Sequence, residues 1–167
     1  TKGRDEANYF PQGEIAWAVK DFLDSVYYGQ KAKYEEIAHI FLDNIDPNDG
    51  RYLIIEENLK DDKYKNILDL GCGKARYTNR LKEKYPDKNL RCIDFSDKGL
   101  TYIDRDVEKK QGSILNIPYQ DESFDFIYIT EALEHAIDID FSIKEIARVL
   151  KRGGKVVIID KDLRAKG

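Results

Sequence analysis

The stretch Asn66-Ile-Leu-Asp-Leu-Gly-Cys-Gly73 decides the predicted fold. It reads as a buried strand that runs directly into a glycine turn, with the carboxylate of Asp69 just before the first glycine. Because glycine has no side chain, such a turn lets a ligand approach the backbone closely. A carboxylate at the turn would repel a pyrophosphate and attract an amino-acid cation. The stretch therefore favours a ligand that carries a positive charge.

Composition sets wide limits on the chain, whose 167 residues predict one domain with a small appendage. Charged residues make up 36% of it, but both signs are mixed and the net charge is only −4, which argues against a nucleic-acid partner. No apolar run approaches membrane-spanning length and no secretory signal pattern opens the sequence, so we expect no membrane partner. Cys72 and Cys92 lack metal-ligand spacing, so the sequence predicts no metal site and a reducing, cytoplasmic setting.

Residues 1–60 read as an N-terminal helical cap or lid, because apolar residues recur there at helical spacing. A third helix is predicted from Tyr52 to Leu59. The two earlier stripes are Ile15, Val19, Phe22, Leu23 and Val26, and then Tyr34, Ile37, Ala38, Phe41 and Ile45.

Residues 61–167 alternate strand and helix, which predicts an α/β fold with a doubly wound, Rossmann-like, mostly parallel sheet and helices on both faces. The helix near Phe141 to Leu150 is predicted to bury Ile143, Ile146 and Ala147 and to be capped by Gly153-Gly154. The predicted strands are Ile67–Leu70, Leu90–Asp94, Val107–Gln111, Phe124–Thr130 and Lys155–Asp160.

The residues just past each strand are the candidate site residues, because ligands of such sheets lie at the carboxyl ends of the strands. Asp94 can accept hydrogen bonds from both hydroxyls of a ribose. Phe95 and Ile114 offer apolar walls for an adenine ring, and the backbone of Ser113 could contact its amino group. The other candidates are Gly71, Cys72, Gly73, Thr130 and Glu131.

The stretch Asp69-Leu-Gly-Cys-Gly73 resembles the cofactor loop of class I S-adenosylmethionine-dependent methyltransferases. Three later segments are similar to the small-molecule, methyltransferase type 11-like branch of that family: Gly112–Tyr119 with Asp121–Asp125, Glu131–His135 and Glu145–Gly154. The resemblance implies S-adenosylmethionine as cofactor and methyl transfer to a small-molecule or biosynthetic-intermediate acceptor. The family often has an aspartate where this chain has Ser113. The implied cofactor-binding residues are Asp69, Gly71, Cys72, Gly73, Asp94, Phe95, Ser113, Ile114 and Thr130.

His135 and Glu131 are the candidate catalytic residues. An imidazole titrates near neutrality and could remove a proton from an acceptor hydroxyl or amine. His135 could equally be a residue at a helix start with local hydrogen bonds, and Glu131 leaves the same two readings open.

Two other functions are compatible with the pattern. A nicotinamide-dependent oxidoreductase would share the sheet and the acidic residue after the second strand, but it normally needs a third small residue where this chain has Arg76. A non-catalytic relative that kept the fold is the other alternative.

The sheet of the resembled family normally has seven strands, and only seven residues follow Asp160. We therefore expect strands six and seven to be missing from this sequence, which also contains no methionine, and strand five to be exposed on one side. A further domain or another chain is expected to cover that edge.

Overall fold

The computed structural model describes residue 26 and residues 28–37, 44–103 and 106–161. The first predicted apolar stripe, except for Val26, lies outside the described residues, as do Ala38 and Phe41 of the second. The boundary between a cap and a core near residue 60 therefore stays a prediction. Within the described ranges, no helix is both long and apolar enough to cross a bilayer.

The helices and strands alternate along the chain as the sequence predicts. The helical residues 28–37 are named α1. The other elements are α2 (Gly50–Leu59), β1 (Asn66–Leu70), α3 (Arg76–Lys84), β2 (Asn89–Asp94), α4 (Asp97–Leu100), β3 (Glu108–Gln111), β4 (Phe124–Thr130), a 3-10 turn (Leu133–His135), α5 (Ile139–Val149) and β5 (Leu150–Ile159).

The five strands form one sheet in the order β3-β2-β1-β4-β5, and each neighbouring pair is parallel. The chain moves outward from β1 in one direction to β2 and β3, and then returns to place β4 on the other side of β1. This reversal is the topological switch point, where a crevice opens at the carboxyl ends of the strands. The doubly wound, Rossmann-like sheet is confirmed.

Alternate residues of the central strands pack on opposite faces of the sheet, as the two-residue period of a strand requires. Ile67 and Tyr128 belong to the apolar cluster that contains the buried residues of α2 and α3. Leu68 and Ile127 belong to a second cluster, which contains Ile146 of α5. Helices therefore cover both faces of the sheet.

The buried face of α5 differs from the predicted one. Ile146 is buried, but Ile143 is 41% exposed and Ala147 is exposed too. The reason is Glu145, which lies on the buried face because its Oε2 accepts a hydrogen bond from Ile117 N at 3.1 Å and pairs with Arg148. A polar interaction that the apolar pattern does not encode thus sets the rotation of the helix.

The predicted glycine cap of α5 is wrong. The helix ends at Val149, and β5 begins at the next residue. Gly153 and Gly154 lie inside β5, where its register against β4 shifts between Phe124 and Phe126. Gly153 has a φ of 76°, so it serves this irregularity of the strand rather than a helix end.

The exposed edge of strand five agrees with its prediction. Among the described residues, β5 pairs only with β4, and the side chain of Ile158 is 43% exposed. The row of backbone groups on the outer side of β5 has no strand partner in that part of the chain.

Asp125 at the start of β4 holds the start of β1. Its Oδ2 accepts hydrogen bonds from Asn66 N at 2.8 Å and Lys65 N at 3.1 Å, and Lys151 Nζ lies 2.7 Å from Oδ1. Burial alone would raise the pKa of this carboxyl, but the hydrogen bonds outweigh it and hold the pKa below its ordinary value.

Replacing Asp125→Ala should lower the free energy of unfolding at pH 7 by about 1.5–3 kcal/mol, the range for hydrogen bonds to charged groups. Since the folded-state pKa is depressed, this stabilisation is present above the unfolded-state pKa near ~4 and is lost as pH falls through the folded value. Urea denaturation at pH 7 and at pH 3 checks both statements. A deficit that is equally large at the lower pH would contradict the assignment.

Candidate functional site

A cavity of about 510 Å³ opens at the carboxyl ends of the strands, at the switch point of the sheet. All eleven residues predicted for the site line it, so the structure brings together segments that are far apart in the sequence. Their chemical roles stay predictions. These residues are Asp69, Gly71, Cys72, Gly73, Asp94, Phe95, Ser113, Ile114, Thr130, Glu131 and His135.

The glycine turn after β1 is pinned against β2. Gly71 N and Cys72 N both donate to the carbonyl oxygen of Ile93, at 2.8 and 3.0 Å. Gly71 has a φ of 79°, and a Cβ added to it would overlap sterically with Ala132 Cβ. Only glycine fits here, because any side chain would collide with the segment that follows β4.

Asp94 at the end of β2 is fixed from both sides. Its Oδ2 accepts from Gly73 N at 2.7 Å and its Oδ1 accepts from Ser96 N at 2.9 Å. Burial raises the pKa of this carboxyl, and the backbone hydrogen bonds oppose that shift. Because each carboxylate oxygen can accept a second hydrogen bond, the group keeps acceptor capacity for two hydroxyls of a ligand.

Asp69 lies at the floor of the cavity and is buried. Its Oδ2 accepts hydrogen bonds from Thr78 Oγ1 at 2.7 Å and Tyr128 Oη at 3.0 Å. Burial raises its pKa to about 7, although these two hydrogen bonds oppose the shift. A positively charged group of a ligand would favour the ionised form of Asp69. Binding of such a ligand near neutral pH would therefore release the proton from this carboxyl.

The loop after β3 supports the site mainly through its backbone. Ser113 is buried, and its Oγ accepts a hydrogen bond from Leu115 N at 3.1 Å, so the hydroxyl already holds the loop in shape. Ile114 packs against the apolar cluster under α5, which leaves it as one wall of the cavity.

Cys72 is a packing residue in the turn. Burial raises the pKa of its thiol well above the ordinary value, with the neighbouring Cys92 adding to the shift. A thiol that resists ionisation is a poor nucleophile. Across residues 26, 28–37, 44–103 and 106–161, no group of three or more His, Cys, Asp or Glu side chains could hold a metal ion.

Glu131 follows β4 in a left-handed conformation, with a φ of 52°. Its Oε1 lies 2.9 Å from Arg51 Nη1, and Arg51 Nη2 lies 2.9 Å from Asp49 Oδ2 at the start of α2. The ion pair joins α2 to the loop after β4, and the catalytic role of Glu131 stays a prediction.

His135 ends the 3-10 turn at the rim of the cavity. Its side chain is 67% exposed, and its Nε2 lies 3.4 Å from Glu134 Oε1. The contact with Glu134 leaves Nδ1 as the ring atom for another partner. The position is compatible with proton transfer at the cavity mouth, so the catalytic reading of His135 stays a prediction.

Two hydroxyls beside the cavity have no hydrogen-bond partner in the part of the chain that the structure describes. They are Thr130 Oγ1 and Tyr77 Oη, and both residues line the cavity. Buried polar atoms are normally hydrogen-bonded, so these two mark capacity for a polar ligand group.

Three contributors were absent from the predicted site. Tyr77 was predicted only as an apolar helix position, Tyr34 only as part of a helical stripe, and Arg51 not at all. Spacing could have suggested Tyr77, since it follows the glycine turn within one helical turn. Only the fold brings Tyr34 of α1 to the cavity and Arg51 of α2 to the cavity residue Glu131.

The fold and the cavity agree with comparison to known families. Residues 68–158, more than half of the chain, match the model of the methyltransferase domain family. The chain belongs to this family, which confirms the resemblance that its motifs indicate.

Individual relatives point the same way. The chain is 38% identical over 103 residues to a demethylmenaquinone methyltransferase of Lactobacillus johnsonii, covering 56% of this chain and 42% of that relative. It is 28% identical over 150 residues to the protein of the same name from Staphylococcus epidermidis, covering 86% of this chain and 61% of that relative. This chain therefore spans only about half the length of these curated relatives.

A solved structure shares the fold. It comes from Methanococcus maripaludis and is assigned to the S-adenosyl-L-methionine-dependent methyltransferases. The two chains superpose with a TM-score of 0.58 and 25% identity, over 64% of this chain and 53% of the other.

Replacing Gly71→Ala should destabilise the protein more than Gly153→Ala. Both glycines have a positive φ, 79° for Gly71 and 76° for Gly153. A Cβ on Gly153 meets nothing within 4 Å, whereas one on Gly71 collides with Ala132. The control should lose only the conformational cost of about 1–2 kcal/mol, and Gly71→Ala should lose more. Equal losses in urea denaturation would contradict the close approach of the turn to the β4 loop.

The raised pKa of Asp69 predicts a pH dependence of stability. Because the group binds a proton more tightly in the folded state, its contribution to the free energy of unfolding falls as pH rises from about 4 through the folded pKa, and then levels off. Asp69→Asn lacks this contribution, so the stability of the variant relative to wild type should rise on the order of 1–3 kcal/mol between pH 5 and pH 8. A difference that is independent of pH would show that Asp69 titrates normally.

Proposed function

We propose that this protein binds S-adenosylmethionine in the cavity and transfers its methyl group to a small-molecule acceptor. The observation that carries the proposal is Asp94, a buried carboxylate fixed by two backbone N–H groups beside the glycine turn. Such a carboxylate suits a ribose and disfavours a phosphate. Membership of the methyltransferase domain family supports the choice of cofactor.

The residues around the cavity fit the parts of this cofactor. Asp94 would accept the ribose hydroxyls, and Phe95 with Ile114 would enclose the adenine. The glycine turn gives backbone access that a Cβ on Gly71 would remove. Asp69 would favour the amino group of the methionine part. When bound, the cofactor supplies a methyl group that its sulfonium makes electrophilic.

The protein contributes mainly by positioning. Thr130 and Tyr77 would hold an oxygen substituent of the acceptor through their unpartnered hydroxyls, while the apolar lining excludes water. An apolar ring that carries hydroxyl or carbonyl groups would match this lining. The name of the relatives, demethylmenaquinone methyltransferase, supports an acceptor of that kind.

His135 is proposed as the base that removes a proton from a hydroxyl or amine group of the methyl acceptor. Its imidazole lies at the rim, where a proton can pass to solvent. Glu131 is proposed to keep the β4 loop in place through Arg51, with a smaller part in proton transfer.

We further infer a reducing, cytoplasmic setting, which the two free cysteines support. A further domain or chain that covers the outer side of β5 is also inferred, because natural sheets seldom leave a long edge bare. Nucleic acid and membrane are not proposed as partners.

Calorimetric titration with S-adenosylmethionine, S-adenosylhomocysteine and NADH tests the proposal. Wild-type protein should bind the first two and not NADH. Asp94→Asn should raise the dissociation constant by about 10–100-fold, because a hydrogen bond to a charged group is replaced by one to a neutral group. The control Asp87→Asn changes an exposed carboxylate that contacts Lys65 and should leave affinity unchanged.

Binding of NADH instead would favour the oxidoreductase alternative. Binding of S-adenosylmethionine without methyl transfer to any hydroquinone or phenol would favour the non-catalytic one. An Asp94→Asn variant that binds as well as wild type would remove the ribose assignment.

A further inference from the structure

Helix α1 is docked on the segment that directly follows Asp94. Ser96 Oγ donates to Glu35 Oε1 at 3.2 Å, and Lys98 Nζ donates to the carbonyl oxygen of Glu35 at 3.1 Å. Lys31 Nζ lies 3.6 Å from Asp97 Oδ1 and 3.9 Å from Glu35 Oε1. Residues 96–98 thus hold one turn of α1 against the end of β2.

Tyr34 is the residue that this docking places in the cavity. Its ring centroid lies 5.9 Å from that of Phe95, with the two planes tilted by 44°. Its Oη lies 2.6 Å from the position that a Cβ on Gly73 would occupy. Burial and the neighbouring charge of Asp94 raise the pKa of the Tyr34 phenol well above its ordinary value. Tyr34 therefore faces the same residues to which the ribose and adenine are assigned.

Tyr34 is a wall of the cavity and not a plug. The cavity keeps about 510 Å³ with Tyr34 in place, and Gln30, Lys33 and Ile37 of the same helix also line it. A ligand that fills the end of the cavity near Asp94 would then lie beside α1.

We propose that Tyr34 is a binding residue for the nucleoside part of the ligand, and that its helix docks more firmly when that ligand is bound. The inference rests on the proposed function, because it takes an adenosyl group as the ligand. It gives the predicted N-terminal cap a specific role, since residues of α1 line the cavity beside Asp94 and Phe95.

Coupling between the helix and the ligand follows from the kind of contacts that hold α1. Apart from the ring contact between Tyr34 and Phe95, the contacts described above are ion pairs and single hydrogen bonds near the surface, which contribute little individually. Packing of the Tyr34 ring against a bound adenine would add a larger contact than any one of these, and this contact exists only in the complex. By reciprocity, a ligand that binds better to the docked helix must stabilise the docked helix.

Titration with S-adenosylhomocysteine tests the role of Tyr34. Tyr34→Ala should raise the dissociation constant roughly fivefold to tenfold, as loss of an aromatic contact does, and Tyr34→Phe should lie between that variant and wild type. Lys60→Ala, which removes the ion pair with Glu57 on α2, is the control and should bind as wild type. Affinities of both Tyr34 variants within about twofold of wild type would overturn the inference.

Hydrogen exchange tests the coupling without a change at Tyr34. Saturating S-adenosylhomocysteine should slow amide exchange in residues 28–37 of the wild-type protein. The double variant Lys31→Ala, Glu35→Ala should bind more weakly and show faster exchange in the free state. Unchanged exchange in α1 on binding would overturn the inference. Wild-type protein that binds no S-adenosylhomocysteine would instead refute the proposed function, so the two failures are distinguishable.

Discussion

The carbonyl oxygen of Ile93 accepts hydrogen bonds from both Gly71 and Cys72, and this contact ties the turn after β1 to the end of β2. The Asp94 carboxylate extends the tie to Gly73. With the turn held this way, its backbone faces an open space instead of filling it. The cavity therefore lies at the switch point of the sheet, where the glycine turn after β1 is held to the end of β2 by these hydrogen bonds.

The other walls are assembled around that turn by polar contacts. Arg51 links the start of α2 to Glu131 after β4, and residues 96–98 hold α1 beside Asp94. Below the turn, Asp69 accepts hydrogen bonds from Thr78 and Tyr128, and these two hydroxyls also contact each other in a buried network. The three carboxylates therefore differ in role. Asp94 is fixed for hydrogen bonding, Asp69 has a pKa raised to about 7, and Glu131 pairs with Arg51 and so joins two segments.

The sequence predicted the sheet well, because period-two and apolar patterns in β1 and β4 are strong and local. The predicted site residues all line the cavity, since parallel strands must bring their carboxyl ends together, and their roles stay predictions. It failed on α5, where a hydrogen bond from Ile117 draws Glu145 into the core. It failed on Gly153 because a bulge in a strand and a helix cap use the same residue type.

Long-range polar pairs and helix docking were beyond the sequence. Nothing local marks Arg51 as the partner of Glu131, 80 residues later in the numbering. Tyr34 looks like any apolar position of an amphipathic helix, and its place opposite Phe95 depends on how α1 lies on the core. Such residues become visible only when separate segments are brought to one cavity.

The most direct test of the glycine turn and Asp94 as a cofactor site is a crystal structure of the protein with S-adenosylhomocysteine. The ribose should lie within hydrogen-bonding distance of Asp94, with the adenine beside Phe95 and the amino-acid part at Gly71. A ligand bound elsewhere, or a turn closed over an empty crevice at saturating ligand, would contradict the assignment.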